Sequence, residues 1–112
     1  MIMSKSSDRM EKFGEICDRM LELHRGKDAM YGSSFEDGME EFGVVSSLVR
    51  LNDKMNRLKS LYRSSVASGV DFVGMGGYGE SVRDTLIDLA NYAVMTLAYL
   101  EGKDSEVKSK GE

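Results

Sequence analysis

The sequence predicts an all-α fold, and two observations lead to this prediction. The 112 residues include nine methionines and no proline, so glycine is the main residue that can interrupt a helix. Apolar residues recur with the helical period of 3.6 in three stretches, and no segment alternates clearly between apolar and polar residues. We expect three main helices in a small bundle, near residues 8–25, 40–63 and 81–101. They form one domain over residues 1–102, followed by a charged, disordered tail at 103–112.

The first predicted helix begins where Asp8 can cap it and ends at Gly26, a residue suited to the position just after a helix. Its apolar stripe consists of Met10, Phe13, Ile16, Cys17, Met20 and Leu21. Cys17 is the single cysteine of the sequence, so it predicts a buried thiol in a reducing compartment rather than a disulfide. We expect a cytoplasmic protein, because residues 1–5 lack the apolar core of a signal peptide.

Residues 27–40 have the composition of a polar loop, rich in Ser, Gly and Asp. Loops carry functional residues more often than regular elements do, which makes Lys27 and Tyr31 candidates for ligand contact. The alternative is a plain connection in which Tyr31 packs on the core. The sequence leaves both interpretations open.

The second predicted helix has an apolar stripe on one side and a mostly positive patch on the other. The stripe consists of Val44, Leu48, Leu51, Met55, Leu58 and Tyr62. The patch consists of Arg50, Asp53, Lys54 and Arg57, at spacings of i, i+3, i+4 and i+7. Such a patch is either a salt-bridged face in solvent or a clamp for phosphate or carboxylate groups, since guanidinium groups offer a planar fork of donors.

Residues 64–79 change character and predict a flexible connection, in which residues 70–73 form a short extended piece. Gly74, Gly76 and Gly79 spell G-x-G-x-x-G before a helix. A dinucleotide site of that kind needs a strand, a helix and a second parallel strand, and no apolar strand follows here. We therefore predict a mobile, Gly-rich flap.

The third predicted helix opens with a capping-box-like pair, Ser81 and Asp84. Its main apolar stripe consists of Val82, Leu86, Leu89, Ala90, Ala93, Leu97 and Leu100, and the opposite face carries Glu80, Asp84, Asp88 and Asn91. This acidic stripe is either a solvated face or the lining of a groove, where carboxylates need a metal, a cation or hydrogen bonds.

Four further apolar residues border the acidic stripe and have no obvious partner within the chain: Ile87, Val94, Met95 and Ala98. Unpartnered apolar patches are uncommon on monomers, so they predict a homo-oligomer. The acidic stripe could face the basic patch within one subunit only if both helices turn from the core together. We expect the two to meet across the interface between subunits, under the Gly-rich loop.

Charge and composition exclude several classes of protein. The net charge of −4 disfavours general binding of nucleic acid through a basic surface. No apolar run approaches the 18 residues that a membrane span needs. His24 is the single histidine and has no cysteine near it in the sequence, which disfavours a zinc site.

Several blocks of the sequence resemble a family found mostly in phages and prophages, the nucleotide modification associated domain 1 family. The matching blocks are Tyr31-Gly32, Phe42-Gly43-Val44, residues 50–58 and residues 80–93. Lys27 stands where the family has a lysine before its Tyr-Gly pair, although Ala29-Met30 departs from the usual spacing. The resemblance implies a protein that binds or handles nucleotides.

That family is in turn similar to the all-helical MazG-type nucleotide pyrophosphohydrolases, which hold magnesium between two acidic helices and assemble as dimers or tetramers. The resemblance would make Glu80, Asp84 and Asp88 the metal ligands, with Asp53 opposite. The second acidic motif of those enzymes is absent, and the cations of the basic patch stand in its place. Binding of an anionic nucleotide therefore fits better than metal-dependent hydrolysis.

Three functions remain open from the sequence. The first is a protein that binds a nucleotide without turning it over, which in a phage–host setting could sequester a signalling nucleotide and so act in anti-defence. Its ligand would contact Lys27, Tyr31, Arg50, Asp53, Lys54, Arg57, Asp84, Asp88 and Asn91, and Tyr31 or Tyr78 could stack on a base. The second is a magnesium-dependent nucleoside triphosphate pyrophosphohydrolase. The third is a structural helical oligomer.

Overall fold

The structure, a computed structural model, describes residues 5–31 and 33–110, without the side chains of residues 29–31 and 106–110. These ranges contain four helices and the connections between them: α1 (Lys5–Tyr31), α2 (Ser34–Phe42), α3 (Val45–Ser68) and α4 (Gly79–Lys110). No strand occurs among the described residues. The all-α prediction is confirmed, and the prediction of three helices is corrected to four.

The chain divides into two compact units, residues 1–34 and residues 35–112. Helix α1 belongs to the first unit and runs past Gly26, where an added Cβ would meet no other atom within 4 Å. Ile16 and Met20 are half-buried, whereas Met10, Phe13, Cys17 and Leu21 of the predicted stripe are exposed. The prediction of a buried Cys17 thiol is therefore wrong.

The predicted loop at 27–40 is largely helical, because α1 extends to Tyr31 and α2 begins at Ser34, and the predicted second helix is divided between α2 and α3. The break between them is Gly43, whose φ of 75° is left-handed and suits glycine. Its N–H bonds to the carbonyl of Met39, which is buried and anchors α2. Turn-forming residue types at 33–38 instead begin a helix, with Glu36 and Asp37 favourably placed in its first turn.

Helices α3 and α4 form an antiparallel pair joined by the loop at 69–78. The side chains buried or half-buried along this contact follow alternating steps of three and four residues on each helix, as in a coiled coil. We call them the seam: Ser47, Leu51, Lys54, Leu58, Leu61 and Ser65 on α3, and Val82, Thr85, Leu89, Tyr92, Thr96 and Tyr99 on α4.

The seam corrects the two predicted apolar stripes. Leu51, Leu58, Val82 and Leu89 lie in the contact as expected, and Ala90 is half-buried beside it. The remaining members of both stripes are exposed: Val44 just before α3, Leu48, Met55 and Tyr62 on α3, and Leu86, Ala93, Leu97 and Leu100 on α4. The contact instead includes Ser47, Thr85 and Thr96, whose hydroxyl groups are satisfied by hydrogen bonds within the pair.

The connection between α3 and α4 is held by specific contacts rather than forming an open flap. The Tyr62 and Phe72 rings lie 5.5 Å apart, and the Ser65 hydroxyl donates to the carbonyl of Val70. From α4, the Arg83 guanidinium donates to the carbonyl of Val73. Residues 72–74 form bends, and residues 70–73 contain no strand in place of the predicted extended piece. Since α4 begins at Gly79, Ser81 lies inside its first turn and is not the N-cap.

Helix α4 also continues beyond Gly102 to Lys110, so the predicted tail is helical over its described part. Glu40 of α2 contacts α4 near the start of this extension. The Glu40 carboxylate pairs with the Lys103 ammonium and accepts a 2.6 Å hydrogen bond from the Tyr99 hydroxyl. Among the described residues, no helix is both long and apolar enough to span a membrane.

Candidate functional site

One side of the α3–α4 pair carries the basic patch of α3 against polar and aromatic residues of α4. Arg50, Lys54 and Arg57 of α3 contact Tyr92, Asp88 and Thr85 of α4, respectively. We call these six residues the polar flank. The basic and acidic faces thus meet within one chain, whereas the sequence favoured a meeting across a subunit interface.

The centre of the polar flank is an ion pair between Lys54 and Asp88. Its Nζ and Oδ2 atoms are 3.4 Å apart, and each side chain is only 29% exposed. Partial burial lowers the effective dielectric constant around the pair and strengthens the attraction relative to a pair in open solvent. The ammonium of Lys54 therefore offsets the negative charge that Asp88 places on this side of the molecule.

Arg57 lies one turn further along α3 and contacts Thr85. Its Nε donates a 3.2 Å hydrogen bond to the Thr85 hydroxyl oxygen. That hydroxyl itself donates to the carbonyl of Ser81, so it has an oxygen lone pair to offer Arg57. Thr85 is buried and Arg57 is exposed, so this hydrogen bond positions the guanidinium group at the surface of the helix pair.

Arg50 lies over the ring of Tyr92, with its Cζ atom 5.9 Å from the ring centroid. This distance is within the range of a cation–π contact. The ring of Phe35 from α2 stands 6.4 Å from the same tyrosine ring, so Tyr92 is supported by a second aromatic side chain. The two aromatic rings thereby fix the position of the Arg50 guanidinium.

Asn91 follows Asp88 by one turn of α4. Its Nδ2 atom is buried, and no atom of the described residues accepts a hydrogen bond from it. Buried polar atoms of native proteins are nearly always hydrogen-bonded, so this donor is available to an acceptor atom that approaches α4 at this point.

The other predicted acidic ligands do not join the polar flank. Asp53, Glu80 and Asp84 are exposed, and Asp88 is engaged by Lys54. In the part of the chain that the structure describes, no group of three or more His, Cys, Asp or Glu side chains could hold a metal ion. Glu80, Asp84 and Asp88 follow one another at steps of four residues, about 6 Å along the helix axis.

The two predicted ligand contacts outside α3 and α4 lie in α1. Lys27 is an exposed residue of that helix, not of a loop. Tyr31 is its last residue, and the side chain of Tyr31 falls outside the described residues.

Sequence reasoning missed three residues that shape the polar flank: Thr85, Tyr92 and Phe35. Thr85 and Tyr92 occupy the three-four spacing that starts at Val82, so the coiled-coil repeat contained the signal. A stripe drawn only through the aliphatic residues of α4 follows a neighbouring column of the helix instead. Phe35 had no detectable signal, since its segment had the composition of a loop.

Comparison of the chain with protein-family models, with curated proteins and with solved structures finds no match.

Proposed function

We propose that the polar flank binds an anionic, nucleotide-like small molecule. One observation carries the proposal: Arg50 and Arg57 are both exposed and stand on either side of the Lys54–Asp88 pair. Their contacts are with an aromatic ring and a hydroxyl group, neither of which neutralises a positive charge. Arg57 follows Arg50 by seven positions, which corresponds to about 10 Å along the helix axis.

Two guanidinium groups at that spacing suit a ligand with more than one phosphate. Each presents a planar fork of donors that matches phosphate oxygens, and a hydrogen bond to a charged group contributes about 1.5–3 kcal/mol. Both guanidinium groups are positioned by contacts with α4, which reduces the conformational entropy lost on binding. The Asn91 amide and the exposed Asp84 carboxylate offer a donor and an acceptor for the sugar or base.

The family resemblance supports the same function. Two of its matching blocks, residues 50–58 and residues 80–93, contain all six residues of the polar flank. Tyr92 and Asp88 belong to the second block and Arg50 to the first. Sequestration of a signalling nucleotide in a phage–host setting extends this proposal.

The magnesium-dependent pyrophosphohydrolase alternative draws no support from the geometry of the described residues. It requires several oxygen ligands around one ion. The nearest candidate, Asp88, is occupied by Lys54, and Glu80 and Asp84 are spread along the surface of α4.

Calorimetric titration with a panel of nucleotides, in EDTA and in magnesium, tests the proposal. We expect at least one nucleotide to bind in EDTA, and Arg57→Ala to weaken its binding about tenfold or more, the loss of one charge-assisted contact. Arg63→Ala is the matched control, because Arg63 is an exposed arginine of the same helix that is not part of the polar flank. Both variants should keep the helical circular dichroism spectrum.

Two results would overturn the assignment. One is that no nucleotide binds the wild-type protein, which would favour the structural alternative. The other is that Arg57→Ala and Arg63→Ala bind equally well. Release of pyrophosphate only in magnesium would establish the hydrolase instead.

A further inference from the structure

The side of the α3–α4 pair opposite the polar flank is apolar and exposed. We call it the apolar flank: Leu48, Met55 and Tyr62 on α3, and Leu86, Ala93, Leu97 and Leu100 on α4. Its six large side chains are between 42% and 56% exposed. These residues formed much of the stripes that the sequence predicts to be core.

Helix geometry places both groups on one side of the pair. Leu48, Met55 and Tyr62 each follow a seam residue of α3 by one position, and Leu86, Ala93 and Leu100 do the same on α4. One position is a rotation of about 100° around a helix. Because the two helices run antiparallel, this rotation turns both columns toward the same side, where they flank the seam.

The two columns also share the seven-residue spacing of the seam. Positions 48, 55 and 62 repeat every seven residues on α3, and positions 86, 93 and 100 repeat every seven residues on α4. A heptad repeat of this kind keeps an apolar column in line with a partner helix over many turns. The repeat therefore indicates packing against further helices along the whole length of the pair.

The exposed area is sufficient for a specific interface. A large side chain has a surface on the order of 200 Å², so six that are half exposed present on the order of 600 Å². The largest apolar patch on a typical monomer covers about 300–600 Å² and is often functional, so the apolar flank lies at the upper end of that range. Two such faces together bury about 1,200 Å², the lower bound for stable, specific protein–protein interfaces.

We propose that the apolar flank docks against the apolar flank of a second copy of this chain, giving a four-helix bundle of two α3–α4 pairs. A second copy meets both requirements of the face, because it brings the same two heptad-spaced columns and the same area. The contact is isologous, each copy using the same residues. Ala90 and Ala93 at the middle of α4 permit close approach of the helices.

This interface differs from the one that the sequence predicts. Of the four residues expected there, Ile87 and Met95 are half-buried within the chain, and Val94 and Ala98 are exposed outside the apolar flank. The proposed interface is independent of the proposed function, since it leaves Arg50, Lys54 and Arg57 on the opposite side.

Sedimentation velocity tests the interface with a matched pair of substitutions. The full chain is measured at concentrations from about one to about one hundred micromolar. Leu97 is 56% exposed on the apolar flank, and Val94 is 57% exposed one turn away, outside it. We expect a dimeric wild-type protein. Leu97→Glu buries an unpaired charge at the interface and should raise the dissociation constant at least about a hundredfold. Val94→Glu should leave it within about threefold of wild type.

Leu48→Gln gives a second test on α3 if Leu97→Glu fails to fold, and it should also weaken the dimer. A wild-type monomer at the highest concentration would overturn the proposal, as would equal effects of Leu97→Glu and Val94→Glu. A monomer whose thermal stability falls on Leu97→Glu would show that a segment of the same chain covers the face instead.

Discussion

The hydroxyl of Ser47 donates a hydrogen bond to the hydroxyl oxygen of Thr96, joining the first turns of α3 to the second half of α4. The direction follows from Thr96, whose own proton is donated to the carbonyl of Tyr92. Ser47 is fully buried, and its hydroxyl is the donor of the pair. The two partners are therefore not equivalent.

This direction predicts unequal costs for removing either hydroxyl. Ser47→Ala leaves Thr96 with its bond to Tyr92 and should lower the free energy of unfolding by about 0.5–1.5 kcal/mol. Thr96→Val leaves the buried Ser47 hydroxyl without its acceptor and should lower the free energy of unfolding by about 1–3 kcal/mol. Urea unfolding of both variants measures the difference. Equal costs would indicate that Ser47 turns to a carbonyl of its own helix when Thr96 is replaced.

A double-mutant cycle on Lys54 and Asp88 should show coupling. Each single change, Lys54→Met or Asp88→Leu, removes the ion pair and keeps one of its two partly buried charges, whereas the double variant keeps neither. We expect a coupling energy of about 1–2 kcal/mol, between the values for exposed and for fully buried pairs. Urea unfolding of the four proteins measures it. A coupling below about 0.3 kcal/mol would mean that the pair behaves as a solvent-exposed one.

The contact of α2 with α4 through Glu40 should depend on pH. The hydrogen bond from Lys103, and then that from Tyr99, holds the pKa of Glu40 below its ordinary value of 4.5. The folded state therefore binds its proton less readily than the unfolded state, and the stabilisation present above pH 4.5 is lost as the pH falls through the lowered pKa.

The pKa of Tyr99 is shifted in the opposite direction, with the opposite effect on stability. Its hydrogen bond to Glu40 raises the pKa of Tyr99 above 10.0, so its stabilisation is present below pH 10.0 and is lost as the pH rises through the raised pKa. Nuclear magnetic resonance of the Tyr99 ring should show one transition below pH 4.5 and another above pH 10.0. Glu40→Gln should abolish the acidic transition, and its persistence in that variant would contradict the assignment.

Two glycines of the same unit should respond oppositely to alanine. Gly69 follows α3 with a left-handed φ of 74°, so Gly69→Ala should destabilise the protein by about 1 kcal/mol. Gly102 lies inside α4 with no other atom within 4 Å of an added Cβ, so Gly102→Ala should stabilise it by about 0.5–1 kcal/mol. Thermal unfolding of both variants is the measurement. A gain in melting temperature for Gly69→Ala would contradict the left-handed geometry.

The fold class could be predicted from the sequence, because helical periodicity and the lack of proline act locally along the chain. The helix boundaries could not be predicted from glycine alone. Gly26 and Gly102 lie inside helices, whereas Gly43 ends one, and the three differ in backbone geometry rather than in residue type. A helix tolerates an internal glycine at a cost of about 1 kcal/mol, which neighbouring contacts can offset.

The residues of the candidate site were partly predictable. The basic patch and Asp88 stood out by charge and spacing, and the structure brings Lys54 and Asp88 together. Which face of each helix is buried was not predictable from apolar residues alone, since Thr85 and Thr96 pack in the seam while Leu86 and Leu97 beside them are exposed. Hydroxyl groups that bond to each other or to the backbone are compatible with a packed helix interface, and a hydropathy pattern assigns them to solvent.

The polar residues of the seam also fix the register of the helix pair. An apolar heptad repeat alone would allow α4 to slide along α3 by seven residues and still bury leucines. Such a slip would place Lys54 opposite Ser81 or Met95, and would leave both members of its ion pair without a counter-charge. Polar groups at a few seam positions are a known means by which paired helices exclude alternative alignments at some cost in stability. The Lys54–Asp88 contact therefore selects one alignment, and with it the positions at which Arg50 and Arg57 emerge.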